Sequence, residues 1–325
     1  MRRCAFVCLF GLVLTACGGS GSGLAPAAEP AHSPPLETNP AGRVVEVGNK
    51  PEGLVFDPRT GLLAVGLANP DELALVDGRS GRVVRRVALP ESPRHLDLAR
   101  PGGPVLVPAE RAGLLVEVRL PRGRMRAIRV GDHPHDATAG GGREFVGNER
   151  GHTLSVIEGG RQARVLDAPV GPGGVAATKG GLVAVVGVRS RTLELFDGRA
   201  LRSIDEIDVG LGATHVIARG SRFFVVDTRG DALLEVLTSP LRVHRRTHLA
   251  GSPYGIAFDG RRRRFWVTLT ALNRVAELTD RRLLRTFPTV RQPNSVAVDP
   301  ATGRVFVASR KDGTLQILDP PPYRG

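Results

Sequence analysis

A stretch of thirty residues near the end of the chain, VRQPNSVAVDPATGRVFVASRKDGTLQILD (290–319), constrains the fold more than any other. It opens with a turn at Pro293 and continues as three short alternating segments, SVAVD, RVFVAS and TLQILD, separated by turns that carry Gly or Asp. Such strands cannot bury their own apolar faces and need neighbours of the same kind. The chain supplies them. Equivalent turns fall at Pro51, Pro93, Pro134, about Gly173, Ala213, Pro253 and Pro293, at spacings of 42, 41, 39, 40, 40 and 40 residues. A period near 40 with four strands per unit implies an all-β fold, a seven-bladed β-propeller with four-stranded blades.

Each unit reads as strands a, b, c and d. In the first these are EGLVFD, LLAVGLA, ELALVD and VVRRVAL, and in the sixth YGIAFD, RFWVTLT, RVAELTD and LLRTFP. The last unit stops at Asp319 without a strand d, while RVVEVG at 43–48 precedes the first unit and matches the end of a strand d such as RAIRVG at 126–131. Residues 43–47 are therefore expected to complete the last blade, which joins the chain ends and removes an exposed edge. The domain boundaries that follow are 1–16, 17–42, 43–319 for the propeller, and 320–325 for a short tail.

The first segment, MRRCAFVCLFGLVLTAC, places Arg2 and Arg3 before an apolar run that is too short to span a membrane and suits a secretory signal. Its end, Leu14-Thr15-Ala16-Cys17, resembles the lipobox of bacterial lipoproteins. That resemblance implies cleavage after Ala16, lipid on Cys17 and an extracytoplasmic, membrane-anchored protein. Cys4 and Cys8 lie in the segment that would be removed, so no internal disulfide, cysteine nucleophile or cysteine metal site is expected. Residues 18–42 are Gly, Ser, Ala and Pro with little apolar pattern, and read as a flexible tether reaching about 28 Å.

The turn pattern V-G-x-x-P, followed by a strand ending in Asp-Pro-x-x-Gly and an apolar strand b, resembles the YVTN-repeat family of seven-bladed propellers. GNKPEGLVFDPRTG (48–61) and RQPNSVAVDPATGRVFVAS (291–309) carry the likeness best. The fourth and fifth units lack the Asp-Pro turn. The pattern implies a fold more than a chemistry, because related propellers include binding proteins, lyases, lactonases and quinoprotein subunits.

In a propeller the d–a and b–c loops share one face around the central channel, and that face is the expected site. Directly after each anchor come Glu52, Arg94, His135, Gly174, Thr214, Tyr254 and Asn294, then one residue on Gly53, His95, Asp136, Val175, His215, Gly255 and Ser295. The b–c loops add Asn69, Glu110, Asn148, Glu149, Arg189, Asp227, Thr270 and Arg310. Glu52, Arg94, His95, His135, Asp136, Glu149, Arg189, His215, Tyr254 and Asn294 are the candidate ligand-binding residues. The leading reading is a non-catalytic module that binds a small molecule or a protein at this face. The alternative is a metal-assisted lyase or lactonase with His95, His135, His215 and Glu149 as ligands or general base. Strand alternation counts against a joint metal site, because it sets His135 out of register with His95 and His215.

Zincin, Walker and nucleophile-elbow motifs are absent, no residue marks a cofactor, and the chain carries no catalytic or metal assignment. Aromatic residues make up only 4% of the chain, which argues against a stacking platform for single-stranded nucleic acid. The net charge is +13. Arg261–Arg264 and the arginines of the c–d connections place much of it on the face opposite the channel mouth. If the tether enters at Arg43 from that face, the basic surface is expected to lie toward an anionic membrane and the mouth to point away.

Overall fold

The computed structural model describes residue 24 and residues 26–322. The expected signal segment and Cys17 lie outside the described residues. Among those residues the chain forms seven four-stranded antiparallel sheets arranged as the blades of a propeller. Six blades read a-b-c-d in sequence, beginning with Leu54–Asp57, Leu62–Leu67, Glu72–Asp77 and Val83–Ala88. The seventh takes strands a to c from Pro293–Val298, Val305–Ser309 and Thr314–Leu318, and its outer strand from Arg43–Glu46. Arg43 pairs with Ile317 and Glu46 with Thr314. No helix among the described residues is long and apolar enough to cross a membrane.

The blades pack through the period-2 pattern. Strands b and c are buried on both faces, so Leu62–Leu67 is buried along its whole length, whereas strands d are largely exposed, Val83–Ala88 burying only Val87. The Asp-Pro-x-x-Gly aspartates close the a–b turns: the Asp57 carboxylate accepts from Arg59 N at 3.1 Å and Thr60 Oγ1 at 2.6 Å. It also accepts from Gly102 N of the next blade at 2.8 Å. In the fourth blade Thr178 takes over this task, its Oγ1 accepting from Leu182 N at 3.0 Å.

The fourth repeat corrects the expected register. Pro172, not Gly173, begins strand a and faces Gly187, as Pro134 faces Asn148 and Pro253 faces Leu269. The ring positions of this blade are therefore Gly173 and Gly174, one residue earlier than the spacing implied.

The stretch 26–42 does not simply enter at the outer strand. Ala41 N donates to Pro288 O at 3.0 Å, and Gln316 Nε2 donates to Ala41 O at 2.7 Å, which places this stretch between the sixth and seventh blades. Further toward the N-terminus, Asn273 Nδ2 donates to Pro34 O at 2.9 Å, on the face where strands d end and strands a begin. The described N-terminal residues thus emerge at the channel mouth, opposite the Arg-rich face. The premise that turned that basic face toward a membrane fails.

Gly42 makes the closure possible. It sits at φ +76°, and a Cβ there would lie 2.3 Å from the carbonyl oxygen of Ile317. Gly42→Ala is expected to cost about 1–3 kcal/mol and to lower the thermal midpoint; an unchanged midpoint would show that the closing strand does not govern stability.

Candidate functional site

The first ring of d–a residues turns inward because a β-bulge opens most of the strands a. The register shifts between Pro134 and Asp136, between Ala213 and Val216, and between Pro253 and Ile256. A bulge breaks strict alternation, so neighbouring side chains can face the same space. This overturns the expected separation of the histidines. The rings of His95 and His135 lie 4.6 Å apart, those of His95 and His215 4.7 Å, and those of His215 and Tyr254 4.5 Å in an edge contact.

Below these rings a cavity of about 420 Å³ runs into the channel. Glu52, Arg94, His95, Asp136, His215, Tyr254 and Asn294 all line it, with Asp97 deeper and Val55, Ile217 and Phe258 on its apolar wall. His135 and Glu149 border a smaller space at the mouth, shared with Arg94, His95, His215 and Tyr254. Nine of the ten candidate residues are thus gathered. Arg189 is the exception, since it lines neither space and its side chain runs against Gly171 of the neighbouring loop. Several b–c positions turn out to hold loops together. Asp227, fully buried, accepts from Gly212 N at 2.9 Å and Gly230 N at 3.0 Å and pairs with Arg246 at 3.0 Å.

Two carboxylates crowd one histidine. His135 Nδ1 lies 2.7 Å from Glu110 Oε1 and 3.3 Å from Glu149 Oε2, while His133 Nε2 lies 3.1 Å from Glu110 Oε2. His215 Nδ1, by contrast, is buried without a hydrogen-bond partner. Elsewhere on the rim, Glu52 pairs with Arg310 and accepts from Asn294 Nδ2 at 3.1 Å. Among the described residues no group of three or more His, Cys, Asp or Glu side chains is placed to hold a metal ion, so the proximity of His95, His135, His215 and Glu149 does not amount to a ligand set.

Burial sets the charges. It pushes His215 down to about 3, aided by His135 and Arg94, and drives His95 well below its ordinary value with help from His135, His215 and Arg94. For Glu110, burial raises the pKa but is outweighed by His135, His133 and Arg94, so the carboxyl stays below its ordinary value. Burial likewise opposes the Arg94 charge, yet Tyr254, Glu29 and Glu110 outweigh it and hold the guanidinium more firmly protonated than usual. Burial lifts Tyr254 to about 12, Asp97 to about 6 and Asp136 to about 7. Around Arg94 the mouth therefore sets two uncharged rings, His95 and His215, beside a firmly protonated guanidinium.

Sequence reasoning passed over three participants. Glu110 was recognised only as a loop residue, and the side of strand a on which Asp97 lies follows from a register that the sequence does not state. Glu29 sits in a low-complexity stretch with no pattern to single it out, yet its Oε2 lies 2.9 Å from Arg94 Nη2.

A scan against protein-family profiles finds no match, and neither does a search of curated protein sequences. Solved structures do match. A chain of the mitotic checkpoint complex superposes with a TM-score of 0.75 at 13% identity, covering 98% of this chain and 99% of that one. Virginiamycin B lyase from Staphylococcus aureus gives 0.71 at 12% identity, over 85% and 99%. The Cps50 (Swd1) β-propeller domain of Myceliophteria thermophila gives 0.72 at 12%, over 86% and 100%. The chain is a β-propeller. At these identities the likeness extends to the fold and no further.

Asp136 yields a stability test. Its folded pKa of about 7 exceeds its ordinary 3.8, because burial and the Asp97 charge outweigh the bonds from Val175 N and Ala137 N and the pull of His135. The folded state binds the extra proton, so this group's stabilising effect is complete below its unfolded pKa and is lost as pH rises through the folded one. Asp136→Asn cannot titrate. The melting temperature of the variant minus that of the wild type should therefore increase from about pH 4 to about pH 7 and then level off; a difference independent of pH would contradict this.

Proposed function

We propose that the chain is a non-catalytic binding protein, anchored by lipid at Cys17 on the outer side of a bacterial membrane, that takes an anionic ligand at the channel mouth. One observation carries the binding reading. Arg94 stands at the entrance of the 420 Å³ cavity with its guanidinium 3.3 Å from the Tyr254 hydroxyl, surrounded by histidines that burial keeps neutral. A partly desolvated arginine with several donors in a fixed fork recognises carboxylates and similar anions. The lipobox-like end of the first segment supports the anchor, and the Asp-Pro-x-x-Gly turns support placing the chain with YVTN-repeat propellers.

The anchor also bears on orientation. Ten residues separate Cys17 from Ala27 and can span at most about 36 Å when fully extended. A lipid at Cys17 therefore keeps the channel mouth, rather than the Arg-rich face, near the bilayer. Cys17→Ser is expected to move the protein from the membrane fraction to the soluble one and to abolish incorporation of labelled fatty acid; an unchanged distribution would remove the anchor.

Binding can be read from thermal unfolding of the wild type with acetate, succinate and citrate. A ligand at a hundred times its Kd adds about 2.7 kcal/mol to stability. At least one of these acids should raise the melting temperature, and Arg94→Gln should eliminate the rise. Absence of stabilisation, or stabilisation indifferent to Arg94, would overturn the binding reading.

A further inference from the structure

The segment before the closing strand lies across the channel mouth, and its contacts have an informative form. Arg229 Nη2 donates to Ala27 O at 2.8 Å. Ala31 N donates to Thr270 Oγ1 at 3.0 Å, while Gln292 Nε2 donates to Ala31 O at 2.8 Å. Ser33 N donates to Gln292 Oε1 at 3.0 Å, Ser33 Oγ to Thr270 O at 2.5 Å, and Asn273 Nδ2 to Pro34 O at 2.9 Å. Ala28 and Ser33 are buried. These bonds come from three different blades and fall mainly on the main chain of the strap, as they do when a protein binds an extended peptide. Only Glu29 and Ser33 contribute side chains. Pro26, Pro30, Pro34 and Pro35 favour an extended backbone, so little chain entropy is lost on docking.

Glu29 reaches the Arg94 guanidinium at the mouth. It meets Arg94 through a single hydrogen bond of 2.9 Å, and its own side chain remains 62% exposed. Beneath the strap, in the small space bordered by Ala27, Ala28 and Glu29, lie His135, which faces Glu110 and Glu149, and His215, whose Nδ1 is buried and without a hydrogen-bond partner. The His135 side chain is nine-tenths buried. An orphaned buried polar atom is costly, and His215 Nδ1 beside Arg94 can still take a polar partner that the strap does not supply.

Resting on the binding function above, we propose that the ligand is an extended peptide segment bearing a carboxylate side chain, and that residues 27–34 are its resident stand-in. The strap occupies the groove formed by Arg229, Thr270, Asn273 and Gln292 and places Glu29 where the ligand's acidic residue binds Arg94. A ligand must displace it. The groove is therefore self-occluded, and a peptide gains access in proportion to how readily the strap leaves.

The test uses the full chain and a fluorescent peptide of residues 26–35, PAAEPAHSPP, read by anisotropy. The chain carrying Glu29→Gln and Ser33→Ala should bind this peptide about tenfold more tightly than the wild type, because its own strap competes less well. A peptide with Gln in place of the acidic residue should bind about tenfold more weakly, and Arg94→Gln added to the same chain should cause a similar loss. Cooperative melting curves establish that each variant is folded, and hydrogen exchange at Ala31 and Ser33 reports release of the strap. Equal binding of the two peptides, binding indifferent to Arg94→Gln, or release of the strap without peptide binding overturns the proposal. A strap that stays protected with both side chains silenced overturns it equally. Should small carboxylates stabilise the wild type through Arg94 while the peptide fails, the binding function stands and only its peptide ligand falls.

Discussion

The pairing of Arg43–Glu46 with Thr314–Leu318 is the interaction on which the rest depends. Every other blade is built from consecutive strands, so its hydrogen bonds close over short loops. This pairing alone joins the chain's two ends, and without it the last blade would present strand c as a bare edge. It also ties the stretch that leads into the first blade to the last blade, which closes the ring. Gly255 shows how tight that inner ring is, since a Cβ there would lie 2.6 Å from Asn294 O of the next blade. The closing strand and the strap over the mouth belong to one continuous stretch, so the element that seals the ring also covers its entrance.

The arginine excess finds part of its explanation in the same ring. Arg304 of the seventh blade donates to Gly78 O and Arg79 O of the first, each at 3.0 Å, and Arg43 donates to Arg79 O at 2.8 Å. Arg143 of the third blade reaches Gly198 O of the fourth at 2.9 Å, and Arg262 of the sixth reaches Thr302 O of the seventh at 2.7 Å. Guanidinium groups with several donors suit this work, because one side chain can satisfy two turn carbonyls at once. Several arginines, Arg262 of the basic a–b turn among them, are thus engaged between blades.

The architecture was legible because each repeat carries its own turn chemistry at a regular interval. The anchors at Pro51, Pro93, Pro134, Pro253 and Pro293, the Asp57 and Asp299 turns, and the missing last strand d are all local signals. The register at Pro172 was not legible, because a Gly-Gly pair follows the proline and gives no side chain to align. The meeting of His135 with His95 depends on a bulge, and bulges arise from how a strand fits its neighbours rather than from its own residues. Glu29 was least visible of all. It lies among Ala, Pro and Gly, and its role comes from a long-range contact with Arg94 across 65 residues of sequence.

The electrostatics of the mouth narrow what it can accept. Protonating His95 or His215 would place a second cation beside Arg94 in a space shielded from water, and burial makes that expensive, so both rings stay neutral and present lone pairs and N–H groups instead. Glu110 and Glu149 converge on His135 from the opposite side. A single carboxylate can reach Arg94 while staying clear of these acids. On the binding proposal, a ligand with several closely spaced negative charges would bring one of them against Glu110 or Glu149 at a repulsive cost. The proposed site would therefore favour one acidic group over a polyanion. That preference would rest on Arg94, held charged against its own burial penalty, with Glu110 and Glu149 nearby.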